Sequence, residues 1–295
     1  MSLKTNRYPR FWIGIATSLV LICVLIITQF SHERSDQPQV DVEMAEDSTS
    51  FNLAWPTGER QIYRLQYNSQ DSAQPFVDAA MGAASSEPMS ASLQLVARVA
   101  VTGEGPGAIP GSSRVHFELE ACTEASWKAA GAEIWRNAND CNEMLDGAAL
   151  GAEVAQTGRV LEVFDPPEAS SAVQSLLQTL WLAMQAELPA ADHELDDEGY
   201  RRESETMHGT AKHLYLTQGV NPLVLERRTE TYFDLRIARG LAEKPEVQAG
   251  GSTRFEFGDD GTLRRLGGEE RLSVATAAGL EILSSNVSID LVWQG

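Results

Sequence analysis

"RVHFELEA", residues 114–121, alternates without a fault: Val115, Phe117 and Leu119 fall on one side, Arg114, His116, Glu118 and Glu120 on the other. Successive side chains of an extended chain point to opposite faces, so this is a strand with one face buried and one face wet. The same period runs through the flanking sequence. "RQIYRLQY" (60–67) places Tyr63, Leu65 and Tyr67 opposite Ile62, and "SLQLVARVAV" (92–101) puts Leu93, Leu95, Ala97, Val99 and Val101 on one face. Residues 69–88 are small and polar and read as a loop, and "TGEGPGAIPG" (102–111) reads as a turn.

Strand signals return after residue 199. They are "YRRESETM" (200–207), "AKHLYLTQ" (211–218) and "LVLERRTETYFDLRIA" (223–238), the last with Thr229, Thr231, Phe233, Leu235 and Ile237 on one side. "STRFEFGDDGTLRRL" (252–266) is a hairpin turning at Gly258-Asp259-Asp260-Gly261, and the final strand aligns Val287, Ile289, Leu291 and Trp293. Between the two groups lies one strong helical pattern. Asp165 suits a cap, Pro166 and Pro167 a first turn and Glu168 a capping box. Val173, Leu176, Leu177, Leu180, Trp181, Met184 and Leu188 then recur every three or four residues until Pro189. The expected fold is mainly β with one long amphipathic helix from Pro166 to Leu188, classed α+β. Its nine or ten strands form an antiparallel meander curled into a half-barrel or barrel-like sheet, because long sheets curl or close and one helix covers one open face.

Residues 11–30, "FWIGIATSLVLICVLIITQF", hold no charge. As a helix rising about 1.5 Å per residue they reach roughly 30 Å, enough for a bilayer's hydrocarbon layer. A cleavable signal has a shorter apolar core and a small-x-small site, whereas this run ends in Thr28, Gln29 and Phe30. Leu21 and Ile22 before Cys23 do not suit lipid attachment. Lys4, Arg7 and Arg10 precede the run, so the expected topology is a cytoplasmic arm (1–10), a transmembrane anchor (11–30), a flexible linker (31–50) and an exported domain (51–295). That domain is one unit or two lobes divided near residues 189–199. The expected location is a bacterial inner membrane, single-pass, with the C-terminal domain in the periplasm.

The chain carries −19 overall. Its first 30 residues hold three of the 23 Lys and Arg and none of the 42 Asp and Glu, which leaves 20 against 42 and a charge of −22 beyond them. Such a surface repels phosphate backbones and anionic headgroups, which excludes nucleic acid as a partner. Besides Cys23 only Cys122 and Cys141 remain, and in an oxidising compartment they are expected to pair.

Motifs for chemistry are absent. There is no G-x-S-x-G, P-loop, dinucleotide fingerprint or zinc spacing. His193 sits in an acidic stretch without the pattern of a calcium loop. His208 and His213, five apart, should face opposite ways on a strand and hold no ion jointly. Asn286-Val287-Ser288 matches a glycosylation acceptor by chance inside a strand. No enzyme activity, metal or cofactor is expected.

"WPTGERQIYRLQY" (55–67), followed by "SLQLVARVAV", resembles the opening of the vitellogenin-type N-terminal β domain of large lipid-transfer proteins, where a Gly shortly precedes an aromatic-bearing first strand. The resemblance covers roughly Ala54 to Val101. The order of strands, one helix, then more strands also resembles the half-barrel lipoprotein carriers of bacterial envelopes, in which a helix covers an apolar concavity. Both imply a binding or scaffolding module; joined to the anchor at 11–30, the expectation is a membrane-anchored, non-catalytic module that holds a lipid or other apolar ligand between its sheet and the helix, with Leu177, Trp181 and Met184 of the helical stripe as the ligand-facing residues. The other expectation is a structural or assembly partner of another envelope protein.

Overall fold

A computed structural model describes residues 53, 55–74, 89–164, 170–189, 199–238 and 243–295. The expected anchor at 11–30 and its linker lie outside the described residues, as does His193. Among the described residues no helix is long and apolar enough to cross a membrane.

Among the described residues twelve strands make one antiparallel sheet, more than the nine or ten expected. The first half of the chain supplies β1 (Arg60–Ala73), β2 (Met89–Pro106), β3 (Ser112–Ala129), β4 (Ala132–Trp135), helix α1 (Ala138–Leu145), β5 (Ala149–Ala155) and β6 (Val160–Phe164). Helix α2 (Ser171–Ala183) follows. The second half supplies β7 (Tyr200–Thr206), β8 (Gly209–Val220), β9 (Leu223–Phe233), β10 (Glu246–Phe257), β11 (Leu263–Ala275) and β12 (Glu281–Trp293). The spatial order is β6-β5-β3-β2-β1-β12-β11-β10-β9-β8-β7, with β4 on β3. Each half is a meander. The two wings meet where the first strand pairs with the last, Tyr63 opposite Trp293 through Ala73 opposite Leu283.

α2 therefore connects the two outer edges, β6 and β7, and it packs against β3 and β5 on one wing and β7 on the other. The sheet curls around it without closing, since β6 and β7 do not pair. Two glycine pairs set part of the curl. A Cβ on Gly251, held at φ +104°, would lie 2.1 Å from the Glu269 carbonyl oxygen, and one on Gly268 would lie 2.4 Å from that of Ser252. Only glycine lets β10 and β11 approach so closely, which is how barrel-like sheets turn a corner. Beyond that corner β9 and β10 separate, and their ladder covers only Val224–Arg228 against Ser252–Glu256.

The alternation read in β1, β2 and β3 holds. Tyr63, Leu65, Tyr67, Leu95, Val99, Val101, Val115 and Phe117 are all buried. Beyond the expected loop at 69–88, whose first five residues belong to β1 because they pair with both β2 and β12, three readings need correction. First, the helix is shorter than Pro166 to Leu188: Ser170 caps it, accepting from the Val173 N–H, and it ends at the Met184 cap. Residues 165–169, with the Asp165 cap and the Glu168 box, lie outside the described residues, while Leu188 sits in an extended segment. Second, β2 continues through Gly103 and Gly105 to Pro106, so the turn is confined to residues 107–111. Third, β9 changes phase. A bulge opposite Lys212 and His213 skips Glu230, so Thr229 and Tyr232 are buried while Thr231 and Phe233 are exposed. An extra residue on one strand reverses every side chain after it.

β4, α1 and β5 were not read in the sequence. Asn137 caps α1 by accepting from the Asn139 and Asp140 N–H groups, while Asp140 accepts from Arg136 N–H at 2.7 Å. The expected disulfide joins Cys122 on β3 to Cys141 on α1 across 19 residues. Asn142 reinforces it, accepting from the Cys122 N–H at 2.7 Å and donating to the Cys122 carbonyl at 3.2 Å. Closing a loop of that length stabilises by about 3 kcal/mol through the unfolded chain. Replacing both cysteines with serine should lower the unfolding free energy obtained from urea denaturation by that amount, with α1 losing hydrogen-exchange protection first.

Candidate functional site

The candidate site is the interior of the curled sheet. α2 presents an apolar face to it because Val173, Leu176, Leu177, Leu180 and Trp181 follow the helical period. Trp181 is fully buried, its ring centroid 5.6 Å from that of Phe117 and 6.2 Å from that of Trp55. Leu177 is fully buried and Met184 nearly so. The three residues singled out for ligand contact thus lie in the protein's own core. The space beside Trp181 and Met184, bounded by Leu53, Trp55, Tyr63 and Leu263, is a cavity of about 20 Å³. The indole N–H groups of Trp55 and Trp181 have no partner there.

After Met184 the chain runs extended across the gap between the sheet's edges. Leu188 N–H donates to the Thr157 carbonyl at 2.7 Å on the β5–β6 side, where Gly158 at φ +89° leaves room for the Ala186 carbonyl. On the other side Tyr200 Oη donates to the Glu187 carbonyl at 2.9 Å, and Arg202 pairs with the Glu187 carboxylate at 3.3 Å. Arg227 on β9 donates from Nη1 to the Gln185 carbonyl at 2.9 Å. Residues 184–189 form a strut between the two wings.

The interior is not uniformly apolar. One large apolar cluster surrounds α2, and a smaller one of Ala211, Tyr232, Leu235, Leu272, Val274, Ile282 and Leu283 lies apart from it. A cluster of polar side chains also faces inward. Arg227 Nη2 donates to Glu270 Oε1 at 2.8 Å. Burial works against the Glu270 carboxylate, but the Arg227 charge beside it, joined by the two imidazoles once acid protonates them, outweighs it and holds its pKa below the usual range. His213 bonds Thr229 through Nδ1 at 3.1 Å and Ser204 through Nε2 at 2.9 Å. His208 Nε2 meets Ser285 Oγ at 3.1 Å, and Ser285 donates to Asp71 Oδ1 at 2.5 Å.

Arg227, Glu270, His213, Ser204, His208 and Ser285 line a recess of about 70 Å³, bounded on the apolar side by Leu182, Ala183, Leu272 and Val287, with Asp71 and Thr229 behind them. His208 and His213 both border it, contrary to the expectation that they face apart, because His208 lies in the β7–β8 turn and β8 begins only at Gly209. Among the described residues no group of three or more His, Cys, Asp or Glu is placed to hold a metal ion. The Asp71, Ser285, His208 order puts the hydroxyl in the middle, whereas an activated serine needs the imidazole there.

Burial, reinforced by the Arg227 charge, pushes His213 down to about 4, with Glu270 opposing. An unfolded imidazole titrates near 6.5, so between those two values the unfolded chain binds more protons than the folded one. The stabilisation from neutral His213 is complete above about pH 6.5 and is lost as pH falls toward 4, on the order of 3 kcal/mol in all. Urea midpoints should drop between about pH 7 and about pH 4.5, and His213→Gln should flatten that slope.

No family model matches the chain, and no curated protein matches it. Among solved structures it is similar to one described as lipid–protein interactions in lipovitellin, with TM-score 0.51 and 10% identity. The likeness is one of fold. It covers 82% of this chain and 26% of the other, so this chain spans about a quarter of that chain's length.

Proposed function

We propose that the protein is a membrane-anchored, non-catalytic module of the bacterial envelope that binds a lipid or other apolar ligand inside its curled sheet. One observation carries this reading: an open antiparallel sheet keeps an apolar inner face and fills it with its own amphipathic helix. The similarity in fold to lipovitellin, whose structure is described in terms of lipid–protein interactions, supports it. The two cavities beside α2, of about 20 and 70 Å³, fall well below the roughly 300 Å³ of a small-molecule pocket, and the groove of about 610 Å³ over the glycine corner of β10 and β11 is lined by Glu226, Arg254, Glu269 and Arg271 and by no residue of α2. The ligand therefore wedges in alongside α2, which gives way about the 184–189 strut without leaving the sheet, and Leu177, Trp181 and Met184 exchange protein neighbours for acyl chain. The anchor at residues 11–30 keeps this module beside the source of its ligand.

Full-length protein extracted with organic solvent should yield co-purifying lipid by mass spectrometry. Reconstitution with lipid should speed amide exchange in Val173 to Ala183 relative to lipid-stripped protein, while β1 and β12 stay protected. A lipid-free protein whose α2 exchanges identically in both preparations would end this reading.

A second reading, a structural partner of another envelope protein, draws on the separated halves of β9 and β10 and on Met207, Phe233 and Leu280, each more than 40% exposed. Apolar side chains beside unpaired strand edges favour strand-to-strand association. Recovery of one stoichiometric protein from membranes, without lipid, would favour it.

A further inference from the structure

The polar recess beside α2 has more hydrogen-bonding capacity than the protein itself uses. Arg227 is the key group: its side chain is 7% exposed, two of its nitrogens are engaged, and its Nε–H has no partner. A buried donor left unmatched carries a desolvation cost that an incoming acceptor removes. The recess is also two-sided. His213, Ser204 and Glu270 form one wall, and Leu182, Ala183 and Leu272 from α2 and β11 form another. It reaches the surface past Met207, which is 41% exposed.

We propose that this recess receives the uncharged, hydrogen-bonding head of an amphiphile, such as the hydroxyl and ester groups of an acylglycerol. The assignment rests on the lipid-binding reading above and specifies its ligand. Volume sets the first limit: about 70 Å³ holds a few polar atoms and no acyl chain, so the chain must lie along α2 while the head sits here. Charge sets the second. The charges lining the recess balance, Arg227 and Arg271 against Glu205 and Glu270, and Asp71 stands behind Ser285. Burial keeps the His208 and His213 imidazoles neutral. An anionic head would thus lose its hydration without meeting net positive charge, inside a protein that carries −19. A neutral head with an acceptor for Arg227 Nε–H and a hydroxyl for Glu270 loses far less.

The test uses full-length protein in lipid bilayers and two photoreactive probes with the same chain: a monoacylglycerol bearing a diazirine near its head, and the corresponding fatty acid. The monoacylglycerol should label Leu182, Ala183 or Leu272 about tenfold more than the fatty acid does, the worth of one well-placed hydrogen bond to a charged donor. Ala183→Met, which fills the recess and leaves Arg227 and Glu270 paired, should bring that labelling down to the fatty-acid level. Equal labelling by the two probes, labelling confined to other sites, or labelling indifferent to Ala183→Met would overturn the assignment. Fatty acid reaching Leu177 and Trp181 with no monoacylglycerol in the recess would overturn it while sparing the lipid-binding reading. Labelling of residues 53–295 by neither probe would overturn both.

Discussion

Replacing Trp181 with alanine should destabilise the protein by about 4 kcal/mol, within the range of large aromatic-to-alanine changes in cores. The side chain is fully buried at the centre of α2's inner face and touches both Trp55 and Phe117. Phe117 is not free to fill the void, because it is fixed in β3 between Val101 and Leu150, and the helix is held by the strut that follows it. Trp181→Phe separates ring from cavity: it keeps most of the apolar volume and deletes an indole N–H that has no partner, so it should cost about 1 kcal/mol. Urea denaturation of both variants measures the difference. An alanine variant within about 1 kcal/mol of the parent would mean that α2 does not hold the two wings together.

Glu270→Leu should have the next largest effect, about 3–4 kcal/mol, because it strands the buried Arg227 guanidinium. The pair reaches across β10, from Arg227 on β9 to Glu270 on β11, with Gly251 opposite Glu270 and Thr253 opposite Arg227, and Arg227 is also stacked over the Phe255 ring at 5.3 Å. Removing one charge leaves the other desolvated and unpaired, whereas removing both leaves an apolar contact. The double variant Arg227→Met with Glu270→Leu should therefore recover most of the loss, to within about 1 kcal/mol of the parent. It should still free α2's trailing strut, since the bond to the Gln185 carbonyl goes with the guanidinium, and exchange at Gln185 to Leu188 should rise in the double variant alone. Equal losses in the single and double variants would show the pair to be a surface-like contact.

What the sequence made legible follows from period. β1, β2 and β3 alternate over long runs, and each alternation leads straight to the buried face. β9 failed because its bulge at Glu230 depends on β8 lying alongside, and a run of Thr, Glu and Arg has no strong apolar phase to betray the slip. The helix was overextended at Leu188 because Leu188 keeps the apolar spacing while its backbone is drawn out to bond Thr157. α1 is too short and polar for periodicity to mark it, although Asn137 followed by Asp140 is a capping signal. The polar recess was missed altogether. Its members come from six strands and a turn, and no local motif joins Asp71, Ser204, His213, Arg227, Glu270 and Ser285. A signal was present: His213 falls between Ala211 and Tyr215, Arg227 between Leu225 and Thr229, and Glu270 between Gly268 and Leu272, all on the inward phase. A charged or titratable residue on the buried phase of a strand needs a partner, and three such residues in one meander point to one another.

The sheet's middle seam joins the first strand to the last. Each wing is a series of neighbours in the chain and can zip locally, but the β1–β12 ladder waits for a loop of nearly the whole domain to close, which makes such topologies slow to reach the native state. During synthesis the bare flank of β1 stays available for mispairing until Trp293 has emerged. Losing the last dozen residues would accordingly cost far more than a terminal trim, since the two wings would share no ladder, and a nascent chain of this kind has reason to engage a holdase until its final strand arrives.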